Sequence, residues 1–123
     1  MSTIKTNDIL EATTGGAKFF VSRAWVSMNA VGTLAIRASG NVSSVTDVAT
    51  GRQTVTFDTD FSDVSYAVTT AGEREITGYT RTLLVSIDSL GDPAVSTGSV
   101  RLLSQTDSNS NQDGRYVCMT ATR

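Results

Sequence analysis

Apolar and polar residues alternate with a period of two over most of the chain beyond residue 22. In residues 53–58, for example, Val55 and Phe57 are separated by threonines. The same alternation recurs in three further segments, 64–70, 99–105 and 115–122. A period of two places successive side chains on opposite faces of a β-strand, whereas a helix repeats every 3.6 residues. The pattern therefore predicts about eight short strands separated by turns, which is typical of an all-β, antiparallel β-sandwich.

The same alternation assigns side chains to the core. The residues predicted to form it are Trp25, Ile36, Val55, Phe57 and Tyr66. Residues 23–28 carry Trp25 on one face and Ala24, Val26 and Met28 on the other, so this strand is expected to be covered on both sides. Between residues 79 and 90, the longest strand candidate, the predicted inward residues are Leu83, Val85 and Ile87.

Other positions depart from the regular alternation. The spacing of Val42 and Val45 is irregular, which predicts a β-bulge in residues 41–48. Apolar side chains also fall on faces that should be polar, namely those of Leu84, Leu103 and Met119. Exposed strand edges and apolar outer residues promote association, so a homo-oligomer is expected.

Residues 1–22 are predicted to be an N-terminal extended arm, and residues 23–123 the β-sandwich domain. The arm contains few large apolar residues, and Gly15 and Gly16 provide a flexible hinge within it. Two interpretations stay open: a frayed terminus, or an attachment arm that orders against a partner. On the second interpretation, the expected contact residues are Ile4, Ile9, Leu10, Phe19 and Phe20.

Composition narrows the classes of function. A chain of 123 residues with 39% hydrophobic and 18% charged residues is one ordered domain rather than a disordered segment. The net charge of −2 and the dispersed Lys and Arg residues disfavour nucleic-acid binding. No apolar run approaches the roughly 20 residues that span a bilayer, and no secretory leader is evident, so synthesis in the cytoplasm without membrane insertion is expected.

The residue types needed for common catalytic sites are missing. The chain has no histidine and one cysteine, which removes Ser-His-Asp and Cys-His arrangements and histidine-containing metal sites. Cys118 is expected to be a small buried apolar residue. The sequence predicts that the protein is not an enzyme and holds no cofactor or metal.

Two polar segments leave alternatives open. Asp58, Asp60 and Asp63 lie close together in one predicted corner and either bind Ca²⁺ or cap turns, the second being favoured. Residues 107–114 begin like a calcium-binding loop but have Gln112 where glycine is needed, which favours a solvated loop.

The tryptophan and the tyrosines also allow two interpretations. Trp25, Tyr66, Tyr79 and Tyr116 either form a platform for stacking sugars or are buried, the second being favoured. A glycosidase-type pair of carboxylates is not indicated by any spacing.

A longer pattern resembles a building block of tailed-bacteriophage virion proteins, found in short tail fibres, head fibres and capsid decoration proteins. That block reads K-A-W-V-x-F-N-G-x-G-T-V-A-I-R-x-S-x-N-V-S-S-I-T-D, followed by T-V-x-F and N-Y-A-V. Its counterparts here are residues 23–29, 32–47, 54–57 and 65–68, within a span of about 45 residues. Met28 stands where the block has an aromatic residue, and residues 69–123 fit only by their strand pattern.

The resemblance implies a structural virion protein, commonly trimeric. A short chain with an N-terminal arm suits a capsid decoration (cement) protein or a head fibre. Its expected partners are further copies of itself in a homotrimer and the major capsid protein or a tail or neck protein. The alternative is a tail-fibre or tail-tip adhesin that binds a host surface glycan. In either case the protein would be made in the host cytoplasm and be located in the virion.

Overall fold

A computed structural model describes residues 22–74, 83–90 and 93–123, together with the backbone of residues 9–10 and 18–19. Within these residues the chain is all β and contains no helix, and hence none that could span a membrane. Eight strands form two four-stranded antiparallel sheets, as the alternation predicts. A separate two-stranded ladder pairs β1 with β2, the strands Ile9–Leu10 and Lys18–Phe19.

Each sheet combines strands that are distant in the chain. The first sheet has the order β4-β3-β10-β7, with bounds Ala35–Gly40, Ser22–Asn29, Gly114–Thr122 and Ala67–Arg74. The second has the order β5-β6-β9-β8, with bounds Val42–Ala49, Arg52–Phe57, Ser99–Gln105 and Leu84–Ile87. Register shifts in β5 opposite β6 confirm the bulge predicted from the irregular spacing of valines.

The core lies between the two sheets. Alternate residues of the four central strands are buried, which is the arrangement that a period of two specifies. They are Ala24, Val26 and Met28; Val117, Met119 and Ala121; Val55 and Phe57; and Val100 and Leu102. Burying each Val, Leu or Phe side chain contributes about 1.5–3 kcal/mol, so these strands carry most of the hydrophobic stabilisation.

The sandwich has two long sides. On one side, which we call the closed side, β7 and β8 face each other, and the Thr70 hydroxyl donates a hydrogen bond to the Val85 carbonyl. On the other, the open side, β4 and β5 follow each other in the chain, so that residues 35–49 run along one sheet and then along the other.

Several predicted core assignments are wrong. The side chain of Trp25 is 42% exposed because it lies on the outer face of β3, and that of Ile36 is 39% exposed because it lies on the edge strand β4. The face of β3 that carries Trp25 is therefore not covered by the described part of the chain. Met119, predicted on an outer face, is 1% exposed because it pairs with buried Val26 across β10 and β3.

Two strand predictions need correction. β7 begins at Ala67 and continues to Arg74, whereas the alternation predicted a strand over 64–70 and a polar connection after it. Val64 is exposed, because residues 58–66 form a corner instead of a strand. In the long candidate over 79–90, the described strand is Leu84–Ile87, and Ile87 is 41% exposed although it was predicted to point inward. Residues 79–82 lie outside the described residues.

Candidate functional site

The outer face of the first sheet carries the exposed tryptophan. A Cβ atom added at Gly40 would lie 2.3 Å from the indole Nε1 of Trp25, so the ring lies against the Gly40 backbone. Trp25 and Gly40 are direct partners in the β3–β4 ladder, which brings the ring onto the neighbouring strand. Only glycine leaves room for an indole lying against the sheet in this way. Because its side chain is 42% exposed, Trp25 also presents an aromatic surface to the outside.

A second aromatic group lies on the same face, about four residues along β10 from the partner of Trp25. The Arg37 guanidinium carbon is 3.8 Å from the centroid of the Tyr116 ring, a cation–π contact. Arg37 also donates hydrogen bonds from Nη1 to the carbonyls of Met28 (3.0 Å) and Arg115 (2.6 Å). These contacts hold the Arg37 side chain over the sheet, and Arg115 in turn pairs with Glu73 at 2.9 Å.

The link between the sheets is made by one asparagine. Asn41 has a φ of 52°, the left-handed conformation that asparagine tolerates better than most residues. Its side-chain amide donates to the Thr59 carbonyl at 3.0 Å and accepts from the Thr59 N–H at 2.7 Å. Its own carbonyl accepts from the Asp58 N–H. Asn41 therefore bonds to residues 58 and 59 much as a neighbouring strand would, and these bonds hold the corner 58–66 at the end of β4.

That corner is built on three packed aromatic rings. Phe57, Phe61 and Tyr66 lie with ring centroids 4.3–5.8 Å apart. The Tyr66 hydroxyl donates to the carbonyls of Ser96 (2.8 Å) and Ser99 (3.2 Å), which joins the corner to the hairpin before β9. Burial raises the pKa of Tyr66 above its ordinary value of 10.0. The predicted core positions Phe57 and Tyr66 are confirmed, as is Val55.

The aspartates of the corner make separate contacts. Asp63 accepts a hydrogen bond from the Ser65 N–H at 2.7 Å and pairs with Arg123. The Ser65 hydrogen bond, followed by the Arg123 contact, lowers the pKa of Asp63 below 3.8. Asp58 and Asp60 are exposed, and within the described residues no three acidic or thiol side chains converge as metal ligands.

A shallow cavity of about 220 Å³ opens beside this corner. It is lined by Arg23, Asn41, Thr59, Asp60 and Phe61. The Asn41 amide is already bonded to Thr59, so the charged groups at the opening are Arg23 and Asp60.

The loop after β9 uses its polar groups internally. Gln105 donates to the Asn111 side chain at 3.1 Å, and the Thr106 N–H donates to the Ser110 carbonyl. Asp113 accepts from the Gly51 N–H at 2.7 Å, which ties the loop to the turn before β6. These bonds account for oxygen atoms that a calcium-type loop would direct at a cation.

A buried carboxylate was missed by the sequence reasoning. Asp88 is 1% exposed; its Oδ2 lies 3.6 Å from Arg101 and 3.8 Å from Arg52, and its Oδ1 accepts from the Leu90 N–H. The two arginines stand on adjacent strands, β9 and β6. One arginine at an outward position of each strand was the available signal, but the cross-strand register was needed to bring the two arginines together.

Further polar groups lie inside the second sheet. The Gln53 amide and the Ser104 hydroxyl are buried, without a hydrogen-bond partner in the described part of the chain. Groups of this kind usually bind an ordered water. Cys118, predicted to be buried, is half-buried, with its Sγ 3.6 Å from the Ser27 hydroxyl on the outer face of the first sheet.

The predicted attachment residues fall mostly beyond what the structure describes. Ile4 and Phe20 lie outside the described residues, and Ile9, Leu10 and Phe19 contribute backbone to the ladder between β1 and β2. Tyr79 of the predicted aromatic platform is also outside them, whereas Trp25 and Tyr116 share one exposed face and Tyr66 is buried elsewhere.

Comparison with known proteins adds no relationship. No protein-family model matches the chain, and neither a curated protein nor a solved structure matches it.

Proposed function

We propose that the protein is a structural component of a tailed-bacteriophage virion, of the capsid decoration (cement) or head-fibre type. In this proposal residues 1–22 anchor it to the major capsid protein or to a tail or neck protein. It is made in the host cytoplasm, associates with itself as a homotrimer and becomes part of the particle.

The observation that carries this proposal is the structural role of the residues in the virion-like block. Trp25 lies against Gly40, Asn41 bonds to Thr59, and Tyr66 bonds to the hairpin before β9. All of these contacts build or join strands. A block whose distinctive residues hold a framework together is suited to presenting a stable module on a particle, and such a role requires no reacting group.

Co-sedimentation with purified particles tests the proposal. Full-length protein added to particles that lack it is expected to sediment with them. Ile9→Asp with Leu10→Asp in the arm should abolish binding and leave the sandwich's melting temperature unchanged. Val64→Ser, at an exposed site in the corner, is the control and should bind normally. Absence of wild-type binding to heads and tails alike would refute the proposal, and retained binding of the arm variant would refute the anchoring role.

A tail-fibre or tail-tip adhesin is the second candidate, and one observation favours it. Trp25 and Tyr116 expose aromatic surface on the same sheet face, and aromatic rings are common stacking partners for sugars. A glycan array separates the two functions. An adhesin should bind a host surface glycan and lose that binding in Trp25→Ala, whereas a decoration protein should bind none of the glycans.

A further inference from the structure

The open side of the sandwich is a continuous ribbon, residues 35–49, that the described chain leaves uncovered. Eleven of its fifteen residues are exposed and none is buried. In the central strands, by contrast, every second residue is buried. A strand in a closed sandwich should bury one of its faces. In the ribbon only Val42 and Val45 pack against the core, and both are partly buried, so most of its side chains have no cover in the described part of the chain.

The ribbon also has unused backbone hydrogen-bonding capacity. β4 and β5 are the edge strands of their sheets, and each has one described neighbour, β3 and β6 respectively. The bulges of β5 leave a regular stretch from Ser44 to Asp47 between them. Edge strands of this kind are templates for pairing with another strand.

Charge, the usual protection of an edge strand, is scarce here. Arg37 and Asp47 are the only charged residues among the fifteen. The Arg37 guanidinium stacks on Tyr116 and bonds to the Met28 carbonyl, so its charge lies over the sheet face instead of projecting past the edge. Natural sheets commonly place lysines on exposed edges to prevent pairing, and the ribbon has none.

We propose that a second copy of this chain docks on the ribbon, with β4 or β5 of each copy pairing edge to edge and Trp25 packing at its border. The proposal specifies the surface for the self-association included in the proposed function. A second copy fits because the ribbon has one positive and one negative charge, so identical surfaces do not repel each other. Ile36 and Val48, 39% and 50% exposed, supply apolar contact area.

The ribbon with Trp25 supplies part of the area that a stable interface takes. Such an interface takes about 800 Å² from each copy, which is roughly a tenth of the 7724 Å² surface of this chain. The ribbon with Trp25 comprises 16 of the 123 residues, and most of them are exposed.

Two measurements on the full-length protein test this inference. Sedimentation velocity over a dilution series gives the dissociation constant for wild type, Ile36→Lys and Val48→Lys. Leu84→Lys is the matched control, because Leu84 is 58% exposed on the second sheet's far edge strand. Hydrogen exchange of residues 35–49 at high and low protein concentration, with the emission of the single tryptophan, then reports where association occurs.

We expect both ribbon variants to weaken association at least ~10-fold, because a buried lysine and like-charge contact cost more than about 1.4 kcal/mol. Leu84→Lys should change the dissociation constant less than twofold. In wild type, amide protection of residues 35–49 should fall on dilution while the Trp25 emission shifts to longer wavelength. Circular dichroism melts confirm that each variant is folded.

Three results would overturn the inference. Protection of the ribbon in a species that sediments as a monomer would mean that this chain's own residues cover it. Dissociation caused by Leu84→Lys and not by the ribbon variants would place the interface elsewhere. A monomer whose ribbon amides are unprotected at all concentrations would exclude the interface. Particle binding is measured separately, so failure here leaves the attachment proposal standing.

Discussion

The closed and open sides of the sandwich join the two sheets in different ways. On the closed side, the Thr70 hydroxyl bonds to Val85, and Leu83 fills the space over Gly72 and Gly114. On the open side, the two sheets are joined through the chain itself at Asn41, and the strands on either side of it remain exposed. On the closed side, packing within the chain covers the gap between the sheets. On the open side, the chain itself links the sheets, and the strands stay available for contact with another molecule.

This difference predicts that substitutions on the closed side change stability and that substitutions on the open side change association. Leu83 on the closed side is buried, so its loss should lower the free energy of unfolding. Side chains on the open side are exposed in one copy, so their loss should mainly change association. The same type of substitution made on both sides therefore provides a direct test.

The largest contrast is expected between Leu83→Ala and Ile36→Ala. Leu83 is 3% exposed, and truncating a buried leucine costs about 2–5 kcal/mol of unfolding free energy. Ile36 is 39% exposed, so its truncation should cost about 1 kcal/mol or less. Urea unfolding at the lowest usable protein concentration measures both. Equal losses would mean that the open side is sealed within one chain.

A second contrast uses two glycines. A methyl group at Gly72 would lie 2.6 Å from Val85 Cγ2 in the packed side, so Gly72→Ala should cost about 1–3 kcal/mol. At Gly40 the methyl group meets the exposed Trp25 ring, which is able to turn outward, so the cost should be below about 1 kcal/mol. The Trp25 emission should change in Gly40→Ala and stay constant in Gly72→Ala. The reverse pattern would contradict the assigned roles.

A smaller effect is expected at Tyr66, which joins the corner to the hairpin before β9. Tyr66→Phe removes hydrogen bonds to two carbonyls and should cost about 1 kcal/mol at neutral pH. The folded-state pKa is raised above 10.0, so the contribution of the neutral hydroxyl is complete below pH 10.0 and is lost as pH rises through the folded-state pKa. The stability gap between wild type and variant should therefore narrow with rising pH; a constant gap would argue against burial as the cause.

The smallest effect is expected at Asp63, an exposed group paired with Arg123. Its folded-state pKa is lowered below 3.8, so its contribution is present above pH 3.8 and is lost as pH falls through the lowered pKa. The melting temperature of Asp63→Asn should lie slightly below that of wild type at neutral pH and match it in strong acid. Asp58→Asn, at another exposed aspartate of the corner, is the control and should show no such difference.

Strand alternation predicts the centre of the sandwich well. β9 has the predicted bounds, β10 begins one residue early, and β6 is shifted by one residue at each end. The agreement is close because in central strands inward positions are buried without interruption. The all-β class and the number of strands in the two sheets follow from the same regularity.

The edges could not be predicted in this way. Apolar residues on both faces of β3 indicated cover on both sides, but Trp25 lies on Gly40, and that contact depends on the cross-strand register. The bonds of Asn41 to Thr59 require the position of a corner eighteen residues away. The buried group of Asp88 with Arg52 and Arg101 likewise depends on strand order.

The position of β10 has a consequence for synthesis. It is the last of the described strands in the chain, yet it lies between β3 and β7 in the first sheet. On the ribosome, residues 114–122 emerge after all the strands that they join, so β3 and β7 stay unconnected until translation has passed them. A product cut short before this strand would leave β3 and β7 without the strand between them and would lack Val117, Met119 and Ala121 of the core. Unpaired edges and a reduced core favour aggregation and proteolysis. The first sheet is therefore completed only when its last described strand has been made.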